Sequence, residues 1–264
     1  MLFDLDSDVQ ASPSDIADSQ SIIEAKIPED IRKKYEILSY RNAAVILSEA
    51  RRAEFDELLN ALRTFAITTD MIRKAGGNES DIPKIFTKAL RPYSWHETII
   101  QGDLVVRRTW RKQIGTNKKR KPVFVTLSEE TKRERYLDGH KVDFVKERVA
   151  FDMEWNSKDQ TFDRDLYAFN AFFLSGVIDV GVLVTRGASL NPVLKTLGPA
   201  LKKDGSPEYK RDGSQRMTQE KYGASTTWWG KLIYRLNAGR NGGCPVLAVG
   251  ITPACISDWP KKEA

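Results

Sequence analysis

Three acidic side chains carry the most chemistry in this chain. Asp143 precedes Asp152 by nine positions, and Asp152 and Glu154 flank Met153 in the run Asp-Phe-Val-Lys-Glu-Arg-Val-Ala-Phe-Asp-Met-Glu-Trp, residues 143–155. Read as a strand, Val149 to Trp155 alternates. Val149, Phe151, Met153 and Trp155 face one way, and Ala150, Asp152 and Glu154 the other. The apolar face suits burial, while the other presents two carboxylates that Asp143 reaches from a preceding strand. Converging carboxylates stabilise a fold poorly, because like charges repel and desolvation is costly. They suit a hard divalent cation such as Mg²⁺ held next to a phosphate, at the rim of a sheet. A solvated strand edge carries the same acid-x-acid pattern, so the spacing must be weighed with its surroundings.

Those surroundings are basic. The chain has 264 residues and a net charge of +6, and acids dominate residues 4 to 30, so the rest is more basic than the total. Between Val105 and Pro122 stand Arg107, Arg108, Arg111, Lys112, Lys118, Lys119, Arg120 and Lys121, with no acid among them. Beside a carboxylate metal site, that run reads as a phosphate-backbone contact rather than a plain solvated loop. Other classes recede. No run of about eighteen apolar residues occurs, so no membrane span is expected. The acidic start lacks the basic region of a signal peptide, which predicts a cytoplasmic protein. Two histidines and no Cys/His cluster argue against structural zinc. Cys244 and Cys255 read as buried small hydrophobes rather than a disulfide.

The elements that must position the acids follow from hydrophobic period. Residues 1–28 read as a flexible acidic arm, and 29–264 as a single domain with a loop excursion at 198–223. Ala43 to Thr68 has helical spacing throughout, and Gly76-Gly77-Asn78 breaks the chain. Ser80 caps a helix from Asp81 to Leu90. Leu104 to Val125 reads as β-structure around a basic turn, and Ser128 to Arg135 as a short charged helix. After the acidic strand come a helix with Phe162, Leu166, Phe169 and Phe173 on one face and a buried strand at Ile178 to Val184. A helix from Ser225 to Leu236, a glycine-rich turn and a buried strand at Val246 to Ile251 close the chain. This order predicts a mixed α/β core with part of its sheet parallel.

The segment 143–155 resembles the active-site hairpin of the BstYI and BglII restriction endonucleases, with BamHI a more distant relative. The Ile178-Asp-Val-Gly-Val run, the Lys231-Leu-Ile-Tyr-Arg-Leu helix, the Gly-Arg-Asn-Gly-Gly turn and the Val-Leu-Ala-Val-Gly-Ile strand are similar to the same family, as is Phe86 to Trp95. The resemblance spans about residues 35 to 255. It implies a PD-(D/E)xK restriction-endonuclease-like mixed sheet flanked by helices. It also implies Mg²⁺-dependent, site-specific cleavage of double-stranded DNA that leaves a 5′-phosphate. Asp143 and Asp152 match the first and second acids, and Glu154 takes the position that carries Lys in the general pattern. The implied metal set is Asp143, Asp152, the Met153 carbonyl and Glu154, with Glu97 nearest to the polar residue that relatives recruit from an upstream helix end. Asp152 is shorter than the Glu common in this branch.

In that family, residues just past the acidic strand reach base edges, which points to Asn156, Ser157 and Lys158. A strand-to-helix turn is the structural alternative there. Arg186, Ser225, Thr226, Thr227 and Arg240, with Lys118, Lys119 and Arg120 of the basic turn, complete the expected DNA contacts; the Ser-Thr-Thr run also suits a helix cap. A palindromic site implies a two-fold homodimer, with helix 43–68 as a possible dimer face, and a cognate methyltransferase in the same prokaryotic system. Two other readings fit the residues: a same-fold repair or phage-defence nuclease without strict site specificity, and a DNA-binding module with vestigial acids.

Overall fold

The computed structural model describes residues 13–74, 80–223 and 225–259, with the backbone alone at Asp138. The first twelve residues of the acidic arm and the break at Gly76-Gly77-Asn78 lie outside the described residues. In chain order the elements are α1 (Gln20–Lys26), α2 (Glu29–Lys34), β1 (Tyr35–Tyr40), α3 (Ala43–Val45), a π-helical turn (Ile46–Ala50), α4 (Arg52–Thr64), α5 (Thr69–Lys74), α6 (Asp81–Leu90), β2 (His96–Thr116), β3 (Pro122–Lys146), β4 (Val149–Glu154), α7 (Thr161–Leu174), β5 (Val180–Arg186), α8 (Leu190–Thr196), α9 (Trp229–Asn237) and β6 (Val246–Ile251). They fall into two compact units rather than the single domain expected. The larger holds the described residues up to Thr98 and from Val142 onward, and the smaller is Ile99–Lys141.

In the larger unit the strand order is β1-β6-β5-β4-β3. The β4–β5 and β5–β6 pairs are parallel, while β3–β4 and β1–β6 are antiparallel. The mixed α/β core with a partly parallel sheet is therefore as the sequence implies. Every residue of β4, β5 and β6 is buried, which explains their near-continuous apolar runs. Phe151, Val182, Leu247 and Val249 pack with Phe55, Leu58 and Phe86 of the N-terminal helices. Phe86 lies 5.0 Å from Phe151, ring centre to ring centre. On the opposite face α7 approaches so closely that a Cβ at Gly181 would stand 2.3 Å from the Phe169 ring. Only glycine fits there. This glycine sets α7 directly over the acidic face of β4 and β5.

Several expected elements are corrected. Within the arm, Gln20–Lys26 is helical and buries Ile23, and Ile27 is buried after it, so this stretch is part of the core. The long helix 43–68 is interrupted at Arg51 (φ −128, ψ 43), whose guanidinium pairs with Asp179, and it ends at Thr64. The apolar positions of α4 all face the core, leaving no apolar stripe for a dimer. Ser128 to Arg135 is strand, not helix. Its acids meet bases across the ribbon, Arg108–Glu129 at 2.8 Å and Arg107–Glu130 at 2.5 Å, and these cross-strand partners override the local helical preference of a charged run. In α7 the buried aromatic is Phe172 rather than Phe173. The last helix begins at Trp229, not Ser225. Ser80 does cap α6, accepting from the Ile82 N–H at 3.3 Å, and both cysteines are buried and free.

Candidate active site

The β3–β4 register places Phe144 opposite Phe151, which sets Asp143 beside Asp152. Backbone amides lock the two carboxylates. The Asp143 N–H donates to Asp152 Oδ1 at 2.7 Å, and the Met153 N–H donates to Asp143 Oδ2 at 3.2 Å. The sequence-predicted trio thus converges.

A fourth acid, not anticipated, completes the group. Asp165 of α7 is 1% exposed, and a carboxylate oxygen of it lies within 4.8 Å of one of Asp152. The signal was present in the sequence. Asp165 sits on the buried face of an amphipathic helix with Phe162, Leu166 and Phe169, where an acid needs a reason. Glu97, expected to join the metal set, is exposed near the start of β2.

The surroundings are also deeper than expected. The acids lie beneath α7 rather than at a solvated rim: Asp152 is 3% exposed and Glu154 9%, and Asp143 is half-buried. Burial, then the charges of Asp165, Asp143 and Glu154, push the Asp152 carboxyl well above the usual range. Burial, then Asp165, pushes Glu154 up to about 8, against a partial offset from Ser157 and Arg164. Asp152 Oδ2 and Glu154 Oε2 are buried without a hydrogen-bond partner among the described residues.

Asp179 on the same sheet shows what a structural acid looks like here. It is clasped by Arg51 and Arg148 at 2.8 Å, and its carboxyl is held below the usual range by Arg148 first. The four-acid group has only the exposed Arg164, 3.4 Å from Asp165. Orphaned buried oxygens and uncompensated charge fit a divalent cation bound by oxygen ligands.

The model of the restriction endonuclease BglII/BglIII family matches residues 35–251, from the first residue of β1 to the last of β6. The chain belongs to this family. The match contains the entire central sheet and all four acids. None of the curated proteins matches the chain. As a BglII/BglIII-family endonuclease the protein is a nuclease-type hydrolase that binds DNA, built on a restriction-endonuclease-like sheet flanked by helices.

The expected DNA contacts of this BglII-family chain divide into two groups. Lys118, Lys119 and Arg120 are exposed at the tip of the β2–β3 hairpin, where Asn117 Oδ1 accepts from the Lys119 and Lys121 N–H groups. Ser157 and Lys158 are exposed after β4. Asn156 is half-buried and donates to the Lys221 carbonyl at 3.1 Å. Beside Asn156 opens a cleft of about 370 Å³ lined by Lys74, Lys202, Lys203, Arg216 and Lys221 against a single acid, Glu208. The loop excursion therefore brings cations next to the acidic strand, which the local sequence did not reveal because their partners are distant.

The other group is structural. Arg186 is buried, its Nε donating to the Trp155 carbonyl at 2.9 Å and its Nη2 to Thr226 Oγ1 and the Thr227 carbonyl at 2.7 Å each, over the Tyr222 ring. Burial pushes its guanidinium down to about 10. It ties the end of β5 to the segment before α9 and is not available to DNA. Thr227 is buried and accepts from the Ser157 N–H at 3.1 Å, and Thr226 receives Arg186, so neither caps α9. Ser225 is exposed, and Arg240 pairs with Asp163. Arg186→Leu is expected to cost about 3 kcal/mol of stability, since it orphans two carbonyls. The salt dependence of DNA binding should stay unchanged, and a shallower slope in a filter-binding titration would return Arg186 to the DNA contacts.

Proposed function

We propose that this protein is a Type II restriction endonuclease that cleaves double-stranded DNA at a palindromic site in a Mg²⁺-dependent reaction, leaving 5′-phosphate ends. The observation that carries this reading is the uncompensated group of Asp143, Asp152, Glu154 and Asp165 inside a BglII/BglIII-family sheet. Asp143 and Asp152 would hold the cation, with Glu154 and the Met153 carbonyl as further oxygen donors and Asp165 as a fourth carboxylate. When bound, Mg²⁺ polarises the scissile phosphate and lowers the pKa of an attacking water.

The protein's own part is positioning. The amide bonds from Asp143 and Met153 fix the two leading carboxylates before substrate arrives, so little reorganisation remains at the reaction. Glu154 Oε2, free of a protein partner, can orient the water and take its proton. The missing Lys means that no fixed ammonium stands at that position. Exposed Lys118, Lys119, Arg120 and Lys158, with the cations of the loop excursion, would follow the phosphate backbone, and Asn156 and Ser157 would face the bases.

Such an enzyme works as a homodimer in a prokaryotic cytoplasm beside a methyltransferase that protects the same site. Supercoiled plasmid incubated with Mg²⁺ tests the reading. Discrete fragments are expected, with none in EDTA. A smear or nicks would point to a nuclease without site specificity, and binding without cleavage to a DNA-binding protein.

A further inference from the structure

Ten of the sixteen exposed large hydrophobic side chains among the described residues fall in the smaller unit, Ile99–Lys141. That unit is a two-stranded ribbon, and such a ribbon is marginal in water unless something covers it. The ion pairs Arg108–Glu129 and Arg107–Glu130 fix which residues stand opposite each other. Side chains alternate along each strand. Val106, Trp110 and Ile114 of β2 therefore share a face with Val123, Val125 and Leu127 of β3. The other face carries Arg107, Thr109, Arg111 and Gln113 opposite Thr126 and Ser128, with Val105 and Phe124; the Arg111 guanidinium covers the Phe124 ring at 4.9 Å. One face is polar and basic, and the other is apolar.

We infer that the apolar face of this ribbon is the surface on which a second copy of the chain docks, giving a two-layer, four-stranded sandwich across a two-fold axis. The face is self-complementary. Its only oppositely charged neighbours are Arg108 and Glu129, and about a two-fold each arginine can meet the partner's glutamate in both directions. A phosphate surface would not desolvate tryptophan and valine, whereas the same surface on a second copy would.

The face is roughly 35 Å by 15 Å, on the order of 500 Å² per partner, which reaches the lower range of specific interfaces. The core-facing stripe of α4 offers no competing apolar surface. This inference rests on the homodimer reading above and adds the surface that forms it.

The test is the mass in solution of the full chain without DNA. The unaltered protein is expected at the mass of two chains. W110E/V125E is expected at one, its dimer dissociation constant raised at least about tenfold. T109E on the opposite face should remain a dimer. Oxidised L127C should form a disulfide-linked pair of chains, a readout that holds even if W110E/V125E fails to fold. If the unaltered protein is a monomer, the homodimer reading fails and this surface with it. If it is a dimer and W110E/V125E remains one, or loses only DNA affinity, or if L127C yields no linked pair, the homodimer stands and the ribbon surface is overturned.

Discussion

Asp152→Asn is expected to abolish double-strand cleavage, lowering the rate by on the order of a thousandfold while DNA affinity survives. Removal of one electrostatic group that acts in the transition state typically costs about 10²–10³ in rate, and Asp152 touches both neighbours that would share its cation. Its Oδ1 is fixed by the Asp143 amide and its Oδ2 is buried without a partner. The asparagine is nearly isosteric and removes a charge from a site already crowded with acids. In EDTA the variant should therefore unfold no earlier than the parent, which separates lost chemistry from lost structure. A variant that cuts at the parental rate would place the metal elsewhere.

The second large effect is on stability against pH. Glu154 titrates near 8 in the fold against an ordinary value of 4.5, and burial likewise raises Asp152. Between those values the native state holds protons that the unfolded chain has released, so stability falls as pH rises. The contribution is fully present below the ordinary carboxylate range and is gone once pH passes about 8 for Glu154. Each pH unit in that window corresponds to about 1.4 kcal/mol per group, giving a loss of a few kcal/mol and a Tm lower by roughly 5–10 °C at pH 8.5 than at pH 6 in EDTA. Mg²⁺ takes the place of the protons, so the Tm it restores should grow with pH. Scanning calorimetry decides this, and a Tm in EDTA that is flat or rises over that window would contradict the buried, uncompensated acids.

Much of this was legible in the residues. Val149 to Trp155 alternates because one of its faces packs on the N-terminal helices, so the acid pair necessarily points to the other. The β-branched runs of β5 and β6 read as buried strands because α-helices cover both faces. What failed was set by distant partners. Ser128 to Arg135 has a helical composition, yet Arg107 and Arg108 across the ribbon draw it into a strand. Arg186 looked like a free cation after a strand, but its three acceptors lie at Trp155 and at Thr226 and Thr227. Asp165 escaped notice because attention to acid spacing along one strand ignored an acid on the buried stripe of the next helix. The depth of the site was equally hidden, since only the contact of Phe169 with Gly181 shows how closely α7 lies on the sheet.

Calorimetric titration of Mn²⁺ into the full-length protein and into Asp152→Asn, at a pH of about 8 and without DNA, addresses the four-acid centre most directly. The parent should bind the ion with release of protons, and the variant should bind at least about tenfold more weakly with fewer protons released. Identical isotherms for the two proteins, or no binding to the parent, would contradict a cation held by Asp143, Asp152, Glu154 and Asp165.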